Sequence, residues 1–126
     1  MSLLSQQIHS YLSLRGSIIR AIAYGDVAAA DVLRITQINP NSYQLRRQNP
    51  DLWTIDEISQ LATALGHETN TLKPIRQLTL LLQLLPNSKQ KEVHQRAQLT
   101  RRKLLVRQAN CNNWKVWELQ QIADVL

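Results

Sequence analysis

The sequence predicts an all-α protein built from two tandem copies of a small four-helix unit, preceded by an extra N-terminal helix. Three observations carry this expectation. First, residues 14–65 align with residues 75–126 at a constant offset of 61 with no gap. Ten aligned pairs are identical: Arg15/Arg76, Val32/Val93, Gln37/Gln98, Arg46/Arg107, Asn49/Asn110, Trp53/Trp114, Glu57/Glu118, Gln60/Gln121, Ala62/Ala123 and Leu65/Leu126. The chain has only three Trp, so a Trp pair in register is hard to reach by chance. An internal repeat of this kind marks a structural unit. Second, apolar residues recur at helical intervals, and no segment alternates with a period of two. Third, helix caps and stops bracket segments of helical length.

Taken in order, residues 2–13 read as an amphipathic helix with Leu4, Ile8 and Leu12 in phase. This helix has no counterpart in the repeat. The first unit then has helices at about 14–24, with Ile18 and Ile22 one turn apart, and at about 27–36, with Val32 and Ile35 inward. Asn39 followed by Pro40 is a cap and first-position pair that starts a third helix, which ends near Asn49-Pro50. Thr54 and Glu57 form a T-x-x-E capping box for the fourth helix, with Ile55, Ile58, Leu61, Ala62 and Leu65 on its apolar face. Gly66 stops that helix. The linker GHETNTLKP leads to a strongly apolar helix over about 75–85, more apolar than one buried stripe needs. Ser88 is the expected cap of a helix at about 88–97, Thr100 that of one at about 101–109, and a final helix spans about 114–125. The domains drawn from this reading are 1–66 and 67–126.

The excess charge is confined to the second half. Residues 1–66 hold five basic and five acidic side chains, whereas residues 67–126 hold ten basic and four acidic, which accounts for the whole net charge of +6. A basic surface favours polyanions through counterion release. No apolar run is long enough for a membrane span, and the N-terminus lacks a basic region followed by an apolar run, so a cytoplasmic, non-secreted protein is expected. Cys111 is the sole cysteine. It has no internal disulfide partner, and with no Cys/His cluster no metal site is expected.

The stretch VLRITQINPNSYQLRRQN, residues 32–49, resembles the bipartite motif of the Cro/phage-repressor-like (XRE-type) helix-turn-helix family. Val32 takes the inward apolar place of the first helix, Ile38 the apolar turn place, Asn39 the cap and Tyr43 the buried place of the reading helix. Val93, Leu99, Thr100 and Leu104 fall at the same places in the second unit. Gln37 and Gln98 stand where the family usually has Gly. The turn must therefore hold a non-glycine residue in a left-handed conformation or adopt another geometry. The resemblance covers nearly all of each repeat. It implies tandem repressor-like domains of a prokaryotic or phage regulator that bind double-stranded DNA sequence-specifically and regulate transcription. A repressor dimer presents two reading helices about 34 Å apart, and a fused pair would do so in one chain toward two unlike half-sites.

The reading helices implied by the resemblance lie near 40–48 and 101–108. In such a helix the N-terminal residues meet base edges in the major groove. The DNA-contacting residues expected are Asn41, Ser42, Gln44 and Arg47 in the first unit, and Arg101, Arg102, Lys103 and Arg107 in the second. Lys89 and Lys91 are expected on phosphates. Asn and Gln suit adenine and Arg suits guanine. The run Thr100-Arg101-Arg102-Lys103 places cations at a helix N-terminus, where the dipole disfavours them, a cost that phosphate or guanine contact would offset. Arg46 and Arg107 recur with Glu57 and Glu118, so an intra-unit ion pair is an equal alternative for these two. Trp53 and Trp114 are expected to plug the core ahead of the last helix. His9, His67 and His94 have no ligand spacing. No Gly-rich phosphate loop, carboxylate pair or Ser–His–Asp set stands out, so no catalytic residue, cofactor or enzymatic activity is expected. The rival expectation is a helical protein-interaction module, or a phage-type inhibitor or adaptor, that docks a second copy or a protein partner through helix 2–13 or the apolar helix 75–85.

Overall fold

A computed structural model describes residues 2–126, so residue 1 of the first expected domain lies outside it. The described residues form nine α-helices and no strand: α1 (Leu3–Ala23), α2 (Ala29–Thr36), α3 (Pro40–Gln48), α4 (Ile55–Ala64), α5 (Leu72–Arg76), α6 (Leu78–Gln83), α7 (Asn87–Arg96), α8 (Arg101–Ala109) and α9 (Val116–Val125). Short 3-10 turns at Pro50–Leu52 and Cys111–Asn113 precede α4 and α9. The bounds of α3, the first 3-10 turn and α4 recur at the 61-residue offset in α8, the second 3-10 turn and α9. No helix among the described residues is long and apolar enough to cross a membrane.

The chain divides into two compact units, and the boundary differs from the one expected. One unit is Ser13–Thr69; the other joins the residues up to Leu12 with Asn70–Leu126. The N-terminal segment therefore packs with the second repeat, not the first. Buried Ser5 donates to the Ala123 carbonyl at 2.8 Å. The helices expected at 2–13 and 14–24 are one continuous α1. No proline or cap separates Ser13 from Leu14, and the buried positions Ile8, Tyr11, Arg15, Ile18 and Ile22 keep an unbroken three–four spacing.

In the Ser13–Thr69 unit, α2 packs on α4. Val32, Tyr43, Trp53, Ile58 and Leu61 lie in its core. Arg15 is buried and its guanidinium donates to the Pro50 carbonyl at 3.1 Å and the Asp51 carbonyl at 3.3 Å, which ties α1 to the turn before α4. In the other unit α7 packs on α9 and α6 on α8. Val93, Leu99, Trp114, Leu119 and Ile122 are buried there at the corresponding positions or beside them.

Two other boundaries depart from expectation. The apolar helix expected at 75–85 begins earlier, at Leu72, and is interrupted at Gln77. Pro74 sits in the first turn of α5, where a backbone N–H would lack an intrahelical partner in any case. Gln77 aligns with Gly16, through which α1 runs unbroken; nothing in the structure explains the break. The expected Ser88 cap is not used, because α7 starts at Asn87 with Pro86 at the cap position and no side-chain cap bond.

Of the two geometries left open for the turn glutamines, the structure has the left-handed one. Gln37 and Gln98 have φ of 59° and 54°. Each follows a helix on which its unit's core depends, and the next residues cap the following helix. Asn39 accepts from the Ser42 N–H at 2.8 Å, and Thr100 accepts from the Lys103 N–H at 3.2 Å. A side chain in this left-handed region costs about 1–2 kcal/mol that glycine avoids. Replacing Gln37 or Gln98 with Gly is therefore expected to stabilise its unit by about 0.5–1 kcal/mol after the greater chain entropy of glycine is set against the relief. Replacement with Val should lower stability. Urea midpoints of the four variants check this, and a destabilised Gly variant would show that the glutamine side chains contribute something the backbone angle does not.

Candidate nucleic-acid interface

The orientation of the two expected reading helices follows from one repeated interaction. In α3, Arg46 donates from Nε to Glu57 Oε1 at 2.8 Å and from Nη2 to Glu57 Oε2 at 3.0 Å. Its remaining nitrogen donates to the Ser42 carbonyl one turn back at 3.2 Å. The guanidinium lies 5.8 Å from the centre of the Trp53 ring, within cation–π range. Glu57 also accepts from the Thr54 N–H at 3.1 Å, and Thr54 Oγ1 accepts from the Glu57 N–H at 3.1 Å, which completes the expected capping box. The other unit repeats this. Arg107 binds Glu118 at 3.0 and 2.9 Å, donates to the Lys103 carbonyl at 3.2 Å and lies 5.6 Å from the Trp114 ring centre. Glu118 accepts from the Lys115 N–H at 3.0 Å. Lys115 replaces Thr54, and an ammonium has no lone pair to accept with, so only the Glu half of the box forms.

Arg107 is therefore removed from the expected DNA-contacting set. Its side chain is 7% exposed and both of its forked donors are held by a carboxylate that is 1% exposed. Arg46 is held in the same way at 18% exposure. These arginines face inward, and that decides which residues face outward. Successive side chains on an α-helix turn by about 100°. With Arg107 inward, the solvent side of α8 holds Arg101, Arg102, Leu105 and Ala109, flanked about 100° from Arg107 by Val106 on one edge and Gln108 on the other, all exposed. The outward arc of α3 holds Pro40, Asn41, Gln44 and Gln48, with Leu45 at the edge matching Val106, also all exposed.

The other expected residues divide. Asn41, Gln44, Arg101 and Arg102 share these outward arcs. Among the described residues, no ion-pair partner lies near Arg101 or Arg102. Arg47 is exposed at the edge of the α3 arc, with its guanidinium 5.9 Å from the Tyr43 ring centre. Ser42 and Lys103 are half-buried. The Ser42 carbonyl is taken by Arg46, and Lys103 Nζ reaches back to the Gln98 carbonyl at 3.1 Å, bracing the strained turn. Lys89 and Lys91 are exposed on α7, not on the α8 arc. Lys89 is partly engaged, by the Val125 carbonyl at 3.2 Å and the Glu92 carboxylate at 3.5 Å.

Sequence reasoning missed Leu45, Leu105 and Val106, which are 54%, 57% and 44% exposed. Leu45 and Val106 occupy the same position of the repeat and read as a matched apolar pair, which suggests core.

Charge separates the units. Asn70–Leu126 with the uncharged segment up to Leu12 carries ten basic and three acidic side chains, net +7, whereas Ser13–Thr69 carries five basic and six acidic, net −1.

Removing one partner of a buried ion pair leaves the other uncompensated. Glu118→Ala should thus cost about 3–5 kcal/mol, and Glu57→Ala less, because its pair retains more solvent. Urea unfolding checks the order. Equal, sub-kcal losses of about 0–1 kcal/mol for both would assign the pairs to the surface class that contributes little. Comparison with protein-family models, with curated proteins and with solved structures finds no match to this chain.

Proposed function

We propose that this protein binds double-stranded DNA sequence-specifically as a repressor-like, tandem helix-turn-helix regulator of transcription, with α8 as its principal reading helix and α3 as the second. The observation that carries this reading is the outward arc of α8. Arg101 and Arg102 stand unpaired at a helix N-terminus, where the dipole opposes them, on a unit with net charge +7. Neither side chain is held by a hydrogen bond or ion pair among the described residues, whereas the inward side of α8 is held by Arg107. Their geometry suits guanine edges or phosphates. The arc of α3, with Asn41 and Gln44, is neutral and suits adenine edges. On this reading Arg107 and Arg46 hold the helices in place and contact no DNA, Lys91 and Arg47 contribute phosphate contacts, and the near-neutral unit adds less affinity than the basic one.

A second reading, a protein-interaction module, has its own observation. Leu80 and Leu84 lie one turn apart around the end of α6 and are 50% and 80% exposed.

Fluorescence anisotropy of a labelled, randomised duplex across a salt series separates the two. A DNA reader should lose affinity linearly on a log–log plot, with a slope of about −0.9 per phosphate neutralised. Arg101→Ala and Arg102→Ala are each expected to weaken binding by about 1–3 kcal/mol, and Asn41→Ala with Gln44→Ala by less. No binding at low salt overturns the DNA reading. Equal losses from both helices overturn the assignment of α8 as principal.

A further inference from the structure

The aliphatic residues Leu105 and Val106 of α8 leave about half of their surface to solvent. Leu105 lies one turn after Arg101 on the outward arc, and Val106 one turn after Arg102 at its edge. Side chains four apart on a helix are neighbours. Each guanidinium is thus followed by a branched aliphatic side chain on one surface. A single exposed leucine needs no explanation. Two adjacent ones, in line with two unpaired arginines on the face away from the Arg107 anchor, form a composite surface with cationic donors at its start and an apolar patch behind them.

We propose that Leu105 and Val106 are specificity-determining residues that recognise the C5-methyl groups of thymine in duplex DNA. The inference rests on the DNA-reading proposal above and deepens it. Charge complementarity selects the occupant, because the arginines that lead the patch attract a polyanion, and a thymine methyl is the apolar feature that a major groove presents. The patch then reads one or two A·T pairs with thymine methyls beside the base pairs or phosphates met by Arg101 and Arg102. In α3, Leu45 follows Asn41 by one turn and is exposed at the position matching Val106, so the same position of the neutral unit serves the same chemistry. Gln44, in place of Leu105, adds an amide that suits adenine.

Deoxyuridine differs from thymidine by this methyl alone and keeps every hydrogen-bonding group. The full chain is first used to select duplexes from a randomised pool. The winning duplex is then synthesised with dT or with dU at each selected position, and both are titrated. The expected result is a winner rich in A·T beside the pairs facing the arginines, with affinity falling about fourfold for each contacted methyl removed. A Leu105→Ser/Val106→Ser variant, with unchanged helical circular dichroism, should bind the dT and dU duplexes alike. Equal binding of both duplexes by the unaltered chain overturns this inference and leaves the DNA reading standing. Failure to bind any duplex at low salt overturns both. If the Ser variant instead changes the sedimentation mass of the DNA-free chain, the patch is a protein contact and the inference falls.

Discussion

Each unit is organised around a guanidinium–carboxylate fork. The carboxylate sits at the third position of the last helix, where it accepts from a backbone N–H that the helix cannot satisfy itself. The same oxygens receive the Arg that projects from the preceding helix. One glutamate thus terminates one helix and locks the rotation of another. A Trp ring closes the third side of the guanidinium. Buried ion pairs often add little net stability, because desolvation offsets their attraction. Here the consequence is orientation: with Arg46 and Arg107 inward, the opposite arcs of α3 and α8 face solvent.

Seven of the ten identical positions of the repeat have a place in this arrangement. Arg46/Arg107, Trp53/Trp114 and Glu57/Glu118 are the fork and its lid. Asn49/Asn110 cap the 3-10 turns, with side chains accepting from Asp51 and Asn112 N–H groups at 3.3 and 3.0 Å. Gln37/Gln98 hold the left-handed turn, and Val32/Val93 and Ala62/Ala123 are core. None of the ten identities lies on the outward arc of α3 or α8. Most of the identities thus lie at positions that the fold uses. The arcs themselves differ at every position, Pro40, Asn41, Gln44, Leu45 and Gln48 against Arg101, Arg102, Leu105, Val106 and Ala109.

Helical periodicity, caps and the 61-residue offset were sufficient to foresee the all-α class, the bounds of α3, α4 and α8 and the Asn39 and Thr54 caps; the positive φ at both turn glutamines was one of two alternatives left open. These are local properties, set by a few neighbouring residues and by backbone sterics. The packing of the residues up to Leu12 with Asn70–Leu126 is not local. It depends on which apolar surface a segment meets, and the repeat offset carries no information about a segment that has no counterpart. The division of the arginines was half legible: the recurrence of Arg46/Arg107 with Glu57/Glu118 marked an ion pair as one of two equal alternatives, and the structure decides between them. Arg101, Arg102 and Arg107 are alike in composition and adjacent on one helix, and only the position of Glu118 against α8 separates an anchor from two unpaired side chains. Leu45 and Val106 are an apolar pair in register, and tertiary packing leaves both exposed. Sequence set what each segment would be; packing decided which side of it faces water, because burial is a property of the partner surface and not of the residue alone.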